Sequence, residues 1–159
     1  ASDVYKRQQQ GRTGALDDAA ANDGFNLVTQ QTAEWNAEKA QQIVQSVIDA
    51  GTPFNVIYAE NDDMAKGAVA ALDKANISHG VGKDVIVMGF DCNKWALEEL
   101  KAGNWNYDGQ CNPFQASYID DIIKKLENGE TISEKTIIMD EKGFDATTIT
   151  QEDVDNYGI

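Results

Sequence analysis

The stretch "YAENDDMAKGAVAALD", residues 58–73, changes pattern within a few positions. Residues 54–60 ("FNVIYAE") form an apolar run suited to a buried strand. Asn61, Asp62 and Asp63 follow, and then Met64, Ala68, Ala71 and Leu72 recur at helical spacing. This is the signature of a strand turning at once into an amphipathic helix. The polar trio at the junction admits four readings: helix caps, metal ligands, catalytic acids, or hydrogen-bonding groups for a small molecule. Two acids at a helix start are ordinarily accounted for by capping and the helix dipole.

Working outward, the same alternation recurs on both sides. Residues 15–23 suit a short helix ending near Gly24, and "FNLVTQ" (25–30) is strand-like. In "NAEKAQQIVQSVIDAG", Ala40, Ile43, Val44, Val47 and Ile48 share one helical face, with Gly51 as the stop. "DVIVMGF" (84–90) is apolar throughout, as a strand covered on both faces requires. "KWALEELKAG" is a helix closed by Gly103, and "NWNYDGQ" a weaker strand. Ile119, Ile122, Ile123 and Leu126 mark a further helix, and "KTIIMD" (135–140) a last strand. After it the pattern fades, leaving a tail or crossing segment with a cap at Thr150. Strand and helix in alternation with short connections predict an α/β three-layer sandwich around a mostly parallel sheet.

Composition removes several functions. The 159 residues suffice for one domain with a substantial core. Acidic residues outnumber basic ones 27 to 13, a formal charge of -14 that repels phosphate backbones and anionic lipid. A nucleic-acid partner is therefore not expected. No window approaches the ~20 apolar residues of a membrane-spanning helix. Residues 1–10 ("ASDVYKRQQQ") show no periodicity, cap or apolar face, and are expected to be a non-native or disordered leader before a truncated chain. Residues 11–140 would form the ligand-binding lobe and 141–159 a hinge or tail segment.

Open parallel sheets bind ligands beyond the carboxyl ends of their strands. Those ends here are "AEND" (59–62), "GFDCN" (89–93) and "GQCNP" (109–113). None is a Gly-rich phosphate loop, so no nucleotide cofactor is expected, nor any other cofactor. The single histidine, His79, lies in a hydrophilic loop, and two cysteines do not make a zinc site. No nucleophile–base pair stands out, so neither an enzyme nor a metal protein is expected. Recognition of a neutral polar ligand remains, for which amides, carboxylates and Arg supply fixed hydrogen bonds and an aromatic ring supplies stacking.

Three segments, "YAENDDMAKGAVAALDKA", "GKDVIVMGFDCNKWALEELKAG" and "NPFQASYIDDIIKKLENGE", resemble the C-terminal lobe of periplasmic sugar-binding proteins of ABC importers. The group is the ribose/galactose-type, or type I periplasmic binding protein, whose lobes are flavodoxin-like. The resemblance runs from about Gly11 to the C-terminus. It implies a monosaccharide held between two lobes, a missing N-terminal lobe, a membrane permease as partner, and a periplasmic or cell-surface location. The signal sequence of such an exported protein is not expected within this segment.

Carried over residue by residue, the resemblance implies that Asn61 and Asp91 hydrogen-bond sugar hydroxyls and that Trp35 stacks on the ring. Arg12 falls where an arginine often faces the cleft. For Trp35 the competing reading is a core tryptophan, and for Asp91 a helix cap. Where many relatives have glutamine before "NP", this chain has Cys111, with Gln110 one residue earlier. Both count as candidates, although neighbours along a strand face opposite sides and a thiol is a poor sugar ligand. The resemblance also makes Cys92 and Cys111 strand-edge neighbours, and an oxidising compartment would permit a disulfide between them. Two unbridged thiols are the alternative. An effector-binding domain of a lactose/ribose-repressor-type regulator shares the fold and stands as the second functional reading.

Overall fold

The computed structural model describes the backbone of residues 2–159 and the side chains of residues 10–159. Among the described residues, ten elements follow one another. They are α1 (Ser2–Asn22), α2 (Ala37–Asp49), β1 (Val56–Tyr58), α3 (Asp62–Lys74), β2 (Ile86–Asp91), α4 (Lys94–Lys101), β3 (Tyr107–Gln110), α5 (Ala116–Glu127), β4 (Gly143–Asp145) and α6 (Gln151–Tyr157). The four strands form one sheet in the order β1-β2-β3-β4. β1, β2 and β3 run parallel, and β4 returns antiparallel to β3.

Alternation along β2 explains the layering. Val87 faces a core that includes Leu72 of α3 and Leu97 and Leu100 of α4, all fully buried. Phe90, of opposite parity, meets Arg12 of α1 on the other side of the sheet. The sheet thus lies between α1 and the α3–α4 layer. α2 packs outside α3. Gly67 permits that close approach, because a Cβ there would fall onto the carbonyl oxygen of Ala37. Trp105, before β3, is buried and meets Trp95 of α4 edge-on at 5.8 Å.

The helix starts form for local reasons. Asn36 Oδ1 accepts from the Lys39 amide at 2.9 Å, and Asn61 Oδ1 from the Met64 amide at 2.9 Å. Thr150 and Asp153 exchange bonds in a capping box at the start of α6. Val154 of that helix is fully buried, and α6 packs on α4.

Several expectations change. The helix expected over 15–23 is the end of the longer α1, whose backbone is helical from Ser2. Of the leader expected at residues 1–10, residues 2–10 have helical backbone, while residue 1 and the side chains of residues 2–9 lie outside the described residues. Residues 25–30 are not a strand. Between them and β1 lies an open groove of about 770 Å³, lined by Leu27, Val28, Val56 and Ile57 among others. A ladder needs strands about 4.8 Å apart, and the groove keeps these two segments from that spacing.

Residues 135–140 are not a strand either, and Ile138 is 88% exposed. The returning strand is instead β4, inside the segment expected to be a tail. Its Phe144 is buried, and it pairs opposite Asp108. The chain leaves the sheet after Gln110 and re-enters at Lys142. That neck is tied by the Gln110 amide donating to the Lys142 carbonyl at 2.8 Å.

Candidate functional site

The carboxyl ends of β1 and β2 deliver Glu60, Asn61 and Asp91 to one rim, and α1 lays Arg12 across it. The Arg12 guanidinium donates to the Glu60 carbonyl and, through Nη2, to Asp91 Oδ1 at 3.4 Å. Its carbon centre stands 4.8 Å from the Phe90 ring centroid, a cation–π contact. Tyr58 Oη donates to the Arg12 carbonyl at 3.1 Å, and the Tyr58 and Phe90 rings meet edge-on at 5.3 Å. Thr13 donates to the Glu60 carboxylate. Burial raises the Asp91 carboxyl above the usual carboxylate range, and the Arg12 charge opposes the rise. Asp91 keeps 26% side-chain exposure, which leaves it accessible to a ligand hydroxyl.

Strand parity alone would send Asp91 to the Val87 and Gly89 side of the sheet. A left-handed turn redirects it: Asp91 has φ 123° and Cys92 φ 60°. Two successive non-glycine residues in that region cost about 1–3 kcal/mol each. The turn is held from two directions. Asp62 Oδ2 accepts from the Asn93 amide at 2.8 Å and from Asn93 Nδ2 at 3.1 Å. The Ile159 amide donates to the Cys92 carbonyl at 3.0 Å, and the Lys94 amide donates to the Ile159 carbonyl at 2.9 Å.

Of the residues singled out by sequence, Arg12 and Asp91 are in contact and Asn61 sits beside them at the end of β1. Asn61 spends Oδ1 on its helix cap, which leaves the amide nitrogen as its donor. Trp35 is not brought onto this cluster. It is 41% exposed and lines the 770 Å³ groove together with Thr13 and Glu60, whereas Arg12, Asn61 and Asp91 lie outside that lining. It is therefore not the buried core tryptophan of the competing reading.

Gln110 closes the neck, its Oε1 accepting from the Lys142 amide at 3.2 Å. Cys111 is half-buried where the chain leaves the sheet. The expected bridge between Cys92 and Cys111 is not present. The left-handed turn drives the Cys92 side chain into the core, where its thiol donates to Asp108 Oδ1 at 3.8 Å. Asp108 lies on β3, whereas Cys111 comes after the strand has ended at Gln110.

Thr13, Tyr58, Glu60 and Phe90 belong to the cluster and were not selected from sequence. Glu60 and Phe90 lay within strand ends that were inspected, and only the arrival of Arg12 distinguishes them. Among the described residues no group of three or more His, Cys, Asp or Glu side chains could hold a metal ion.

Comparison with known proteins identifies the family of the chain. The model of the periplasmic binding protein domain matches residues 4–130. The fructose import binding protein FruE of Bifidobacterium longum is 31% identical over 146 residues, covering 91% of this chain and 42% of that protein. The ribose import binding protein RbsB of Bacillus subtilis is 32% identical over 81 residues, or 51% of this chain and 25% of that one. Among solved structures, an ABC transporter periplasmic solute binding protein from Actinobacillus succinogenes with bound D-allose superposes with a TM-score of 0.74. It is 29% identical and covers 94% of this chain and 50% of its own. The chain thus spans half or less of the length of these relatives. The family match over most of the chain and the shared α/β lobe lead to one conclusion: this chain belongs to the periplasmic binding protein domain family.

Proposed function

We propose that the chain is one lobe of the substrate-binding component of a bacterial ABC importer, and that it holds a monosaccharide against a second lobe. The observation that carries this reading is the Arg12–Asp91 pair over Phe90, with Asn61 alongside, at the strand ends where open α/β sheets take ligands. Arg12 is a planar donor, Asp91 an acceptor for two hydroxyls, and the Asn61 amide a further donor. Trp35 is the aromatic available for the C–H face of a ring. The sugars associated with the relatives, fructose, ribose and D-allose, belong to the same chemical class.

The segment between Gln110 and Lys142 supports the two-lobe part of the reading. α5 exposes Ile119, Ile123 and Leu126, and Ile138 stands almost fully in solvent. Such a run of apolar side chains beyond the neck calls for a covering surface, and a second lobe would supply it. Sugar contacts made from both lobes would favour the closed arrangement, and a membrane permease partner would read that closure. No bond of the ligand is made or broken.

The test is calorimetric titration of the full-length parent with a panel of neutral monosaccharides. Saturable binding of at least one is expected, and the 159-residue lobe should bind the same sugar far more weakly. A parent that binds none of them, but binds amino acids or nucleotides, overturns the proposal.

A further inference from the structure

Asp62 and Asp108 are both fully buried, and they come from different elements, the first turn of α3 and the middle of β3. They meet over Gly89. Asp108 is the register partner of Gly89, so both residues face the same side of the sheet. On that side Asp62 Oδ1 lies 2.7 Å from where a Cβ of residue 89 would stand, so only glycine leaves room for the carboxylate. Each acid has one oxygen engaged. Asp62 Oδ2 accepts both Asn93 donors, and Asp108 Oδ1 accepts from the Cys92 thiol. The remaining oxygens, Asp62 Oδ1 and Asp108 Oδ2, accept from no described donor. Two buried carboxylates facing one another with one orphan oxygen each are satisfied by a single shared proton.

We propose that Asp108 is a protonated carboxylic acid whose Oδ2–H donates to Asp62 Oδ1, and that this buried pair positions the turn carrying Asp91. The assignment of the proton follows from the partners. Asp62 accepts two N–H bonds from Asn93, at 2.8 and 3.1 Å, which favour a carboxylate, whereas Asp108 meets only Cys92, through a weak thiol donor at 3.8 Å and a backbone contact. Burial raises both carboxyls above their ordinary range, and Asp108 is raised further by the charge of Asp62. The groups facing the pair are Asn93 at the start of α4, Asp91 and Cys92 at the end of β2, and Tyr107 on β3. Asp91 adds negative charge and is itself answered by Arg12. With its proton in place, Asp62 is free to hold Asn93 and the strained Asp91–Cys92 turn. Asp62 and Asp108 are positioning residues for the rim.

The sign of the pH dependence follows. The unfolded chain releases the Asp108 proton at about pH 4, while the folded chain keeps it through neutrality. Folding therefore takes up the Asp108 proton, which by itself lowers the folding constant by about tenfold per pH unit above about pH 4 until the folded pair ionises, and the raised Asp62 and Asp91 carboxyls add to that slope at its acid end.

The experiment compares denaturant unfolding of the 159-residue chain with that of Asp108→Asn across about pH 5 to 8. The asparagine amide donates to Asp62 Oδ1 as the acid does, but does not titrate. The stability-versus-pH slope of the variant is expected to be shallower by about one proton's tenfold per unit, with the variant the more stable of the two at the alkaline end. Parallel slopes would overturn the proposal. An infrared spectrum of the unmutated chain near neutral pH supplies a second readout that needs no variant. A protonated-carboxyl carbonyl band is expected, and its absence would also overturn it. Neither measurement uses a sugar, so failure here is separate from failure of the proposed function.

Discussion

Arg12 and Asp91 meet at 3.4 Å across 79 residues of sequence, with the Phe90 ring beneath the guanidinium. Neither side chain would be at this rim through its own element alone. Arg12 arrives on a helix from the opposite layer to α3, and Asp91 is turned out of strand parity by two positive φ angles. The contact joins a planar donor to an accessible acceptor, the combination that hydroxyl-rich ligands need.

Asn61 serves as a helix cap and, in the proposed function, as a sugar donor, and substitutions separate the two roles. Asn61→Ser keeps an oxygen for the Met64 amide but loses the amide donor, whereas Asn61→Ala loses both. In the full-length parent both variants, and Asp91→Ala, are expected to lose sugar affinity by at least tenfold in calorimetry. Only Asn61→Ala is expected to lose about 1 kcal/mol of stability in urea unfolding as well. Parental affinity in the serine variant would reduce Asn61 to a cap.

Gly67 tests the packing of α2 on α3. Alanine in a helix interior ordinarily adds up to about 1 kcal/mol. Here its methyl group would press on the backbone of Ala37, which has no side-chain freedom with which to yield. Gly67→Ala is therefore expected to destabilise by about 1–3 kcal/mol in denaturant unfolding. A neutral or stabilising result would mean that α2 moves off α3 at no cost.

The Cys92 thiol is buried, and burial together with the adjacent Asp108 and Asp62 pushes its ionisation well up. The thiolate is the reactive form. Alkylation of the native chain, read by peptide mass, is expected to leave Cys92 unmodified until denaturant is added. Rapid labelling without denaturant would show that the β2 turn opens readily.

The capping box at α6 gives the opposite pH sign to the buried acid pair. Thr150 hydroxyl and amide donate to Asp153 Oδ2 at 2.6 and 2.9 Å, and hold its carboxyl below the usual range. A carboxyl lowered in the folded state stabilises above its ordinary value and loses that contribution as pH falls through the lowered one. Acidification and Thr150→Ala are each expected to lower the protection of the α6 amides relative to their intrinsic exchange rate at that pH, while the protection of the α3 amides holds. Equal protection of α6 in the two chains at neutral pH would remove the box from the account of this helix.

Part of the molecule was legible along the chain. Thr150 was recognisable as a cap, and capping was among the readings open to the Asn61–Asp63 trio, where Asn61 rather than the two acids turns out to be the cap, because capping is settled within three residues. The apolar runs at 54–60 and 84–90 gave strands, since both end up beside neighbours at ladder distance. "FNLVTQ" and "KTIIMD" carry equally good strand composition and form none. A strand is a pairing, and composition does not say whether a partner lies alongside. The disulfide expected between Cys92 and Cys111 missed for a related reason, because a left-handed turn at Cys92 reversed the side that alternation alone would assign.

By itself the sequence determined the alternation of strand and helix, the caps, and the rim on which polar groups collect. These depend on local spacing and on burial of apolar faces. Only the tertiary structure decided that Arg12 crosses to Asp91, that Trp35 lines a groove sharing Thr13 and Glu60 with that cluster without lying on it, and that Asp62 and Asp108 face each other over Gly89. Those contacts join residues far apart in the chain, and their existence depends on how layers stack rather than on any periodicity within a segment.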